Sequence, residues 1–383
     1  EAVRWLAAEA DLAPRNVQAL VSEAESMLSR RTERSEAIGV GRYLRRRELT
    51  RAALSDVLLG VEPERAVAIT DAADLAVQFA LQIALDEARA GADPASDPAA
   101  FAVIAMGRMG GREMAYASDA DLIFVYDPRG DEQGALDFAL KVATGIRTAL
   151  TEAHEEPKLD IDTDLRPEGR RGPQVRSFAS YAEYYERWVE TWECQALLRA
   201  RPVAGDAVLQ QRFVALIDPI RYPAGGLSKQ ALVNIRRMKA RVESERMPRG
   251  VAPNRHLKLG RGGLTDVEFA AQFLQLQYGW EHLGLRTTAT LAALRAARDA
   301  GLLSEPDFAA LSAAWELASR VRDAIVLATG RTQRSDILPG LGRELSLVSR
   351  VLGYPPGQSQ IFDEDYLRTA RRARKVVEQI LFE

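Results

Sequence analysis

Cysteine is nearly absent. Cys194 is the single one in 383 residues, which excludes an internal disulfide framework and fits a reducing, cytoplasmic compartment. Histidine is almost as scarce: His154, His256 and His282 lie far apart without ligand spacing, so a zinc site is not expected. No apolar run approaches ~20 residues and no signal-peptide pattern opens the chain, so neither membrane spanning nor secretion is expected. An excess of positive charge is also missing. The net charge is −3 and the pI about 5.9, which leaves no basic field for nucleic acid or an anionic membrane.

What is present is the material of a folded protein. Apolar residues make up 47% and charged residues 27%, outside the range of disordered chains, and the length allows two or three domains. The chain opens on Glu1 rather than methionine, within a helical pattern, and reads as a piece of something longer. Its ending, VVEQILFE, is compatible with a native C-terminus.

Residues 1–97 form an N-terminal helical segment. Leu12-Ala13-Pro14 marks a helix start, followed by Val17, Leu20, Val21, Ala24 and Leu28 at helical spacing. A second helix runs through Tyr43, Leu44, Leu49, Ala53 and Val57 to Gly60, and a third follows Glu62-Pro63. The Arg45-Arg46-Arg47 run reads as a solvated helix face, being short and without interleaved aromatics. Gly91–Pro98 is a loop by composition.

The periodicity changes over residues 98–177. Phe101–Met106 and Leu122–Tyr126 are short, continuously apolar runs, the pattern of buried strands. A helix follows over Ala135–His154, then an alternating strand over Leu159–Leu165 with Asp160, Asp162 and Asp164 on one face. Residues 178–383 read as helices throughout, a bundle of about seven, with Trp188 and Trp192 as core and Cys194 inert. The fold class is therefore α+β: a small mixed sheet with flanking helices, followed by an all-α helical bundle.

The chemistry concentrates in Phe101–Asp127. Asp119 and Asp121 sit two residues apart on a strand, which points them to one face. Asp162 arrives from the next acidic strand. Carboxylates at ~4 Å and an effective dielectric of about 20 repel by about 4 kcal/mol per pair, so such a cluster is kept where cations offset the cost. Oxygen donors alone favour a hard ion, Mg²⁺ with Mn²⁺ as alternative, and two ions could clamp an in-line phosphoryl displacement. Gly107, Gly110 and Gly111 give a turn that can approach phosphate, with the GGREM segment starting a short helix. Arg108 and Arg112 flank it. A nucleotidyl-transfer site for a triphosphate substrate follows. Gly107, Arg108, Gly110, Gly111, Ser118, Arg166 and Lys258 are its candidate nucleotide contacts, Arg166 and Lys258 each with an equally good reading as plain structure or solvated surface.

GRMGGREMAYASDADLIFVYD (107–127), Asp162-Thr-Asp-Leu-Arg-Pro, WVETWECQALLRARPVAGD (188–206) and LKLGRGGLTDVEF (257–269) together resemble the glutamine synthetase adenylyltransferase family. That family is a branch of the DNA polymerase β-like nucleotidyltransferases. The resemblance implies that Asp119, Asp121 and Asp162 are the metal-binding catalytic triad and that Gly110 and Gly111 lie at the nucleotide phosphates. It implies a bifunctional protein with two related halves, glutamine synthetase as protein substrate, and a PII-type signalling protein as regulator. The segments around Trp192 and Thr265 resemble the adenylylating half. The alternatives are the half that removes AMP by phosphorolysis and a degenerate, non-catalytic scaffold. Asp164 stands where the family usually has arginine, which puts that arginine's role in doubt; Ala117 and Ala120 are packing changes. Arg199 and Arg201 either bind nucleotide or tie the bundle to the core. Asp266 and Glu268 cannot share a helix face, and Asp266 is the one to face the site.

Overall fold

The computed structural model describes residues 12–13, 15, 17–28, 34–60, 65–89 and 93–383. The expected helix start at Pro14, the Glu62-Pro63 start, Gly91 of the loop and the opening residues at Glu1 lie outside the described residues. Contacts divide the chain into two compact units.

The first unit holds residues 1–52, 66–114 and 118–220. Its helices α1 (Val17–Leu28), α2 (Arg34–Leu59) and α3 (Arg65–Arg89) precede a five-stranded mixed sheet. The strands are β1 (Ala99–Ala105), β2 (Ala120–Pro128), β3 (Ile161–Asp162), β4 (Val175–Ser177) and β5 (Arg201–Gly205). A one-turn helix α4 (Gly107–Gly110) links β1 to the approach of β2, and α5 (Glu132–Thr151) follows β2. Then come α6 (Phe178–Arg187), α7 (Thr191–Leu197) and α8 (Ala207–Arg221). The sheet order is β3-β2-β1-β5, with β4 also on β2. β1 pairs antiparallel with β2 and β5, while β3 and β4 run parallel to β2.

Helices cover both faces of the central strands, which is why their sequences are continuously apolar rather than alternating. Ala102, Ile104, Met106, Ile123 and Val125 pack against Tyr181, Tyr185, Leu197, Leu209 and Phe213. Phe101, Val103, Leu122 and Phe124 are equally buried, with α5 packed on β1 and β2. Each large apolar side chain so enclosed contributes about 1.5–3 kcal/mol. The α3 helix is long and apolar enough to cross a membrane, but 67% of that stretch is buried within the protein.

Three local expectations are corrected here. The acidic strand over 159–165 contracts to two residues, because Asp164 and Arg166 turn the chain through hydrogen bonds to Asp162 and Thr163. The all-helical reading after Phe178 misses β5. The arginine run is not a solvated face. Arg45 and Arg47 are buried, and only Arg46 is exposed. Arg47 pairs with Glu23 at 2.6 Å, and Arg45 donates to the Lys158 carbonyl. Arg42, fully buried nearby, donates to the carbonyls of Ala149 and Glu152. These are the last carbonyls of α5, where the helix dipole favours a cation. Burial pushes the Arg45 guanidinium down to about 10, with Arg42 adding to that push.

The second unit holds residues 53–65, 115–117 and 221–383. Its helices are α9 (Lys229–Glu245), α10 (Leu264–Tyr278), α11 (Thr290–Asp299), α12 (Glu305–Thr329), α13 (Arg343–Val351) and α14 (Ser359–Phe382). The α12 helix is central, packing on α10, α11, α13 and α14. Its start and stop are encoded locally: the Ser304 side chain caps the Asp307 N–H, and Gly330 ends it at φ 67°. Within this unit the Tyr116 hydroxyl donates to the buried Asp56 at 2.6 Å, and Arg65 donates to the same carboxylate at 2.8 Å.

Candidate active site

Asp121 and Asp162 stand directly opposite each other. β2 and β3 run parallel with Ala120 facing Ile161 and Asp121 facing Asp162, a register that sets neighbouring Cα atoms about 4.8 Å apart. The Asp121 carbonyl accepts from Met106 N–H at 2.8 Å, and Ala120 N–H donates to the Asp160 carbonyl at 2.8 Å. Both aspartates are half-buried, and Asp119, one residue before β2, is exposed. Asp162 Oδ1 accepts from the Asp164 N–H at 2.7 Å. Asp164 itself pairs with Arg170 at 2.5 Å. The residue that replaces the usual arginine thus supports Asp162 through its backbone and neutralises its own charge locally.

The glycine turn abuts this pair. Gly107 has φ 51°, and a Cβ there would meet Asp121 Oδ2 at 2.0 Å. Position 107 therefore needs glycine twice over, for its left-handed backbone and for the carboxylate against it. Gly110 is excluded from carrying a side chain by a different neighbour, the Arg199 carbonyl 1.8 Å from the Cβ position. The short helix begins at Gly107 and ends at Gly110, so GGREM closes it rather than starting it. Gly110-Gly111 forms its last turn, with Gly110 N–H bonded to Met106 O and Gly111 N–H to Gly107 O. Arg112 follows at φ 57°, a region costly for a side chain of its size, and is held by Asp71 at 2.5 Å.

Arg108 is half-buried and donates to the Glu113 carbonyl at 3.3 Å; Ser118 is half-buried one residue before Asp119. Arg166 reaches the carbonyls of Thr163, Gly172 and Arg170 at 2.7, 3.0 and 3.3 Å, so it holds the loop after β3 in shape. Lys258 belongs to the second unit and is exposed. Among the described residues no group of three His, Cys, Asp or Glu side chains is close enough to hold a metal ion. The structure brings Asp121 and Asp162 together and leaves Asp119 outside that pair.

Asp266, the acid singled out on α10, is fully buried within the second unit. Lys239 and Arg374 meet its carboxylate, the latter at 3.0 Å, and Gly262 N–H adds a bond of 2.7 Å. The tryptophans are also corrected. Trp188 is 68% exposed, because α6 ends there and α7 begins three residues later, so no common helix face carries both rings. Trp192 donates to Glu190 at 2.8 Å. Glu193 is buried in a capping box with Tyr184 donating to it, and burial raises its carboxyl above the usual range. Burial pushes the Cys194 thiol up to about 11, which fits an unreactive cysteine.

The residues that reading by motif passed over are Thr70, Asp71 and Asp74 on α3. Met114 N–H donates to Thr70 Oγ1 at 3.3 Å, Asp71 holds Arg112, and Asp74 holds Arg201 at 2.8 Å. Burial raises both carboxyls above the ordinary range against the opposing pull of their arginines. Two acids on the buried face of an otherwise apolar helix were the visible signal.

Residues 3–216 match the family model described as glutamate-ammonia ligase adenylyltransferase. Residues 236–381 match a model described as GlnD PII-uridylyltransferase. Relatives named bifunctional glutamine synthetase adenylyltransferase/adenylyl-removing enzyme occur in Streptomyces avermitilis and Streptomyces coelicolor. The first is 47% identical over 96% of this chain and 38% of its own length; the second is 47% identical over 97% and 38%. A third, from Mycobacterium avium, is 46% identical over 95% of this chain and 36% of its own. The chain therefore spans little more than a third of the length of these relatives. With 3–216 covering more than half of it, the chain belongs to the glutamate-ammonia ligase adenylyltransferase family.

Proposed function

We propose that this chain transfers AMP from ATP to a tyrosine hydroxyl of glutamine synthetase and releases pyrophosphate, as the adenylylating half of a bifunctional protein. The observation that carries this reading is the parallel register that sets Asp121 against Asp162, with Gly107 bare against the Asp121 carboxylate. Like charges placed face to face repel, and oxygen-only donors suit a hard divalent ion. Asp121 and Asp162, with Asp119 joining them, would hold Mg²⁺. Bound there, the ion supplies charge to offset the triphosphate and the leaving pyrophosphate.

The chain's own groups account for the rest. Asp162, fixed by the Asp164 N–H, accepts the tyrosine proton as general base. The phenolic oxygen forms its bond to the α-phosphorus while the bond from that phosphorus to the bridging oxygen breaks, and pyrophosphate leaves with the electron pair. Gly110 and Gly111 lie beside the phosphates, with Arg108 and Ser118 as further contacts to the nucleotide. The helical unit orients the synthetase, and a PII-type protein regulates the full protein.

The test is ATP labelled at the α-phosphate, supplied with Mg²⁺ and unmodified glutamine synthetase. Label on a synthetase tyrosine is expected. No label, with ADP formed instead from modified synthetase and phosphate, would assign the opposite direction.

A further inference from the structure

We propose that Arg201 and Arg199 are positioning residues that brace the Gly107–Gly111 turn and thereby seat the Asp121 carboxylate, rather than contacts to the nucleotide. A four-residue helix cannot stabilise itself, since the first turn fixes many dihedrals for few hydrogen bonds. Its closing carbonyls need partners. Arg201, at the start of β5, donates Nε to the Gly110 carbonyl at 3.2 Å and Nη2 to the Met109 carbonyl at 3.0 Å. The other side of the same guanidinium meets Asp74 at 2.8 Å. Arg199 pairs with Glu113 at 2.6 Å and reaches the Gly107 carbonyl at 3.5 Å.

A planar fork fits this task, since it can bind a carboxylate and carbonyls at once. Cations at the carbonyl end also suit the dipole of the turn. The backbone of the same segment takes part: the Arg199 carbonyl fills the space that a Gly110 side chain would need. Asp71 completes the brace by fixing Arg112 in its left-handed conformation. At the other end of the turn, Gly107 lies against Asp121. A shift of the turn would therefore move the carboxylate's seat. Both guanidiniums are engaged by protein groups, Arg199 only 3% exposed, which leaves them poorly placed to receive a triphosphate.

The kinetic arm of the test rests on the adenylyl-transfer reading; the exchange arm does not. In the full-length protein, Arg201→Lys keeps a charge beside Asp74 but loses the fork on the two carbonyls. Amide hydrogen exchange over residues 106–114 without ATP should accelerate at least tenfold, with other segments unchanged. In steady-state transfer kcat should fall about tenfold while KM for ATP stays within twofold. Asp74→Asn, which loosens Arg201 without touching it, should move both readouts in the same direction by about threefold. If Arg201→Lys does not fold, Asp74→Asn and Arg199→Lys carry the test. Unchanged exchange over 106–114, or a tenfold rise in KM with kcat retained, would overturn the brace. Wild-type protein that transfers no AMP would overturn the proposed function, and the exchange measurement would still decide the brace.

Discussion

Carboxylates are handled in opposite ways in the two units. In the helical unit the buried Asp266 is met by Lys239 and Arg374 and by a backbone N–H. In the sheet unit Asp121 faces another acid, Asp162, across a parallel register. The first arrangement is closed: charge is matched by charge and the group is sealed from solvent. The second places like against like at the half-buried end of a strand. Burial of an acid is thus a poor guide to chemistry. The charge that stands opposite is a better one.

Several experiments would break or sharpen that contrast. Asp121→Asn and Asp162→Asn should each lower AMP transfer by on the order of a thousandfold, with the protein still folded. Retained transfer would end the catalytic reading. Asp266→Ala should do the reverse, costing about 3 kcal/mol because buried Lys239 keeps only Glu243 and the Gly262 N–H loses its acceptor. Denaturant unfolding measures this, and an undiminished stability would open Asp266 to a functional role.

Smaller effects test the scaffold. Arg42→Gln removes the guanidinium that closes α5 and should cost about 2 kcal/mol, again read from denaturant unfolding. The smallest effect concerns acid stability. Arg47, followed by Arg15, holds the Glu23 carboxyl down to about 2 from 4.5. Its folded-state value is depressed, so its contribution is present above about pH 4.5 and lost as pH falls towards 2. Glu23→Gln should flatten the stability–pH curve in that window, lowering stability near neutrality and changing it little near pH 2.

The sequence disclosed most where one segment carries its own instructions. The apolar strands over 101–106 and 122–126 fall where spacing and composition put them, and the Ser304 and Gly330 caps are encoded beside the helix they close. Asp119, Asp121 and Asp162 were legible as a motif, and the direct opposition of two of them came only with the register. Legibility failed where partners lie far along the chain. β5 is five residues long with Pro202 inside it, tolerable because it is an edge strand, and a proline argues against a strand when read alone. The arginine run reads as solvated until the Lys158 carbonyl, more than a hundred residues on, supplies an acceptor for Arg45 and Glu23 one for Arg47. Trp188 and Trp192 share a face only if their helix is continuous, and it breaks at Trp188.

Gly107 sets a limit on how this site can change over evolutionary time. Every single-nucleotide route away from glycine introduces a Cβ, and the carboxylate oxygen of Asp121 already occupies that point, 2.0 Å away. Arg112, with the same sign of φ but an ion pair in place of a steric block, leaves room for asparagine or histidine, which enter that backbone region readily. A library randomised at both codons and selected for function should therefore return a single residue at 107 and a small alphabet at 112. The turn is a fixed point around which neighbouring positions are free to drift.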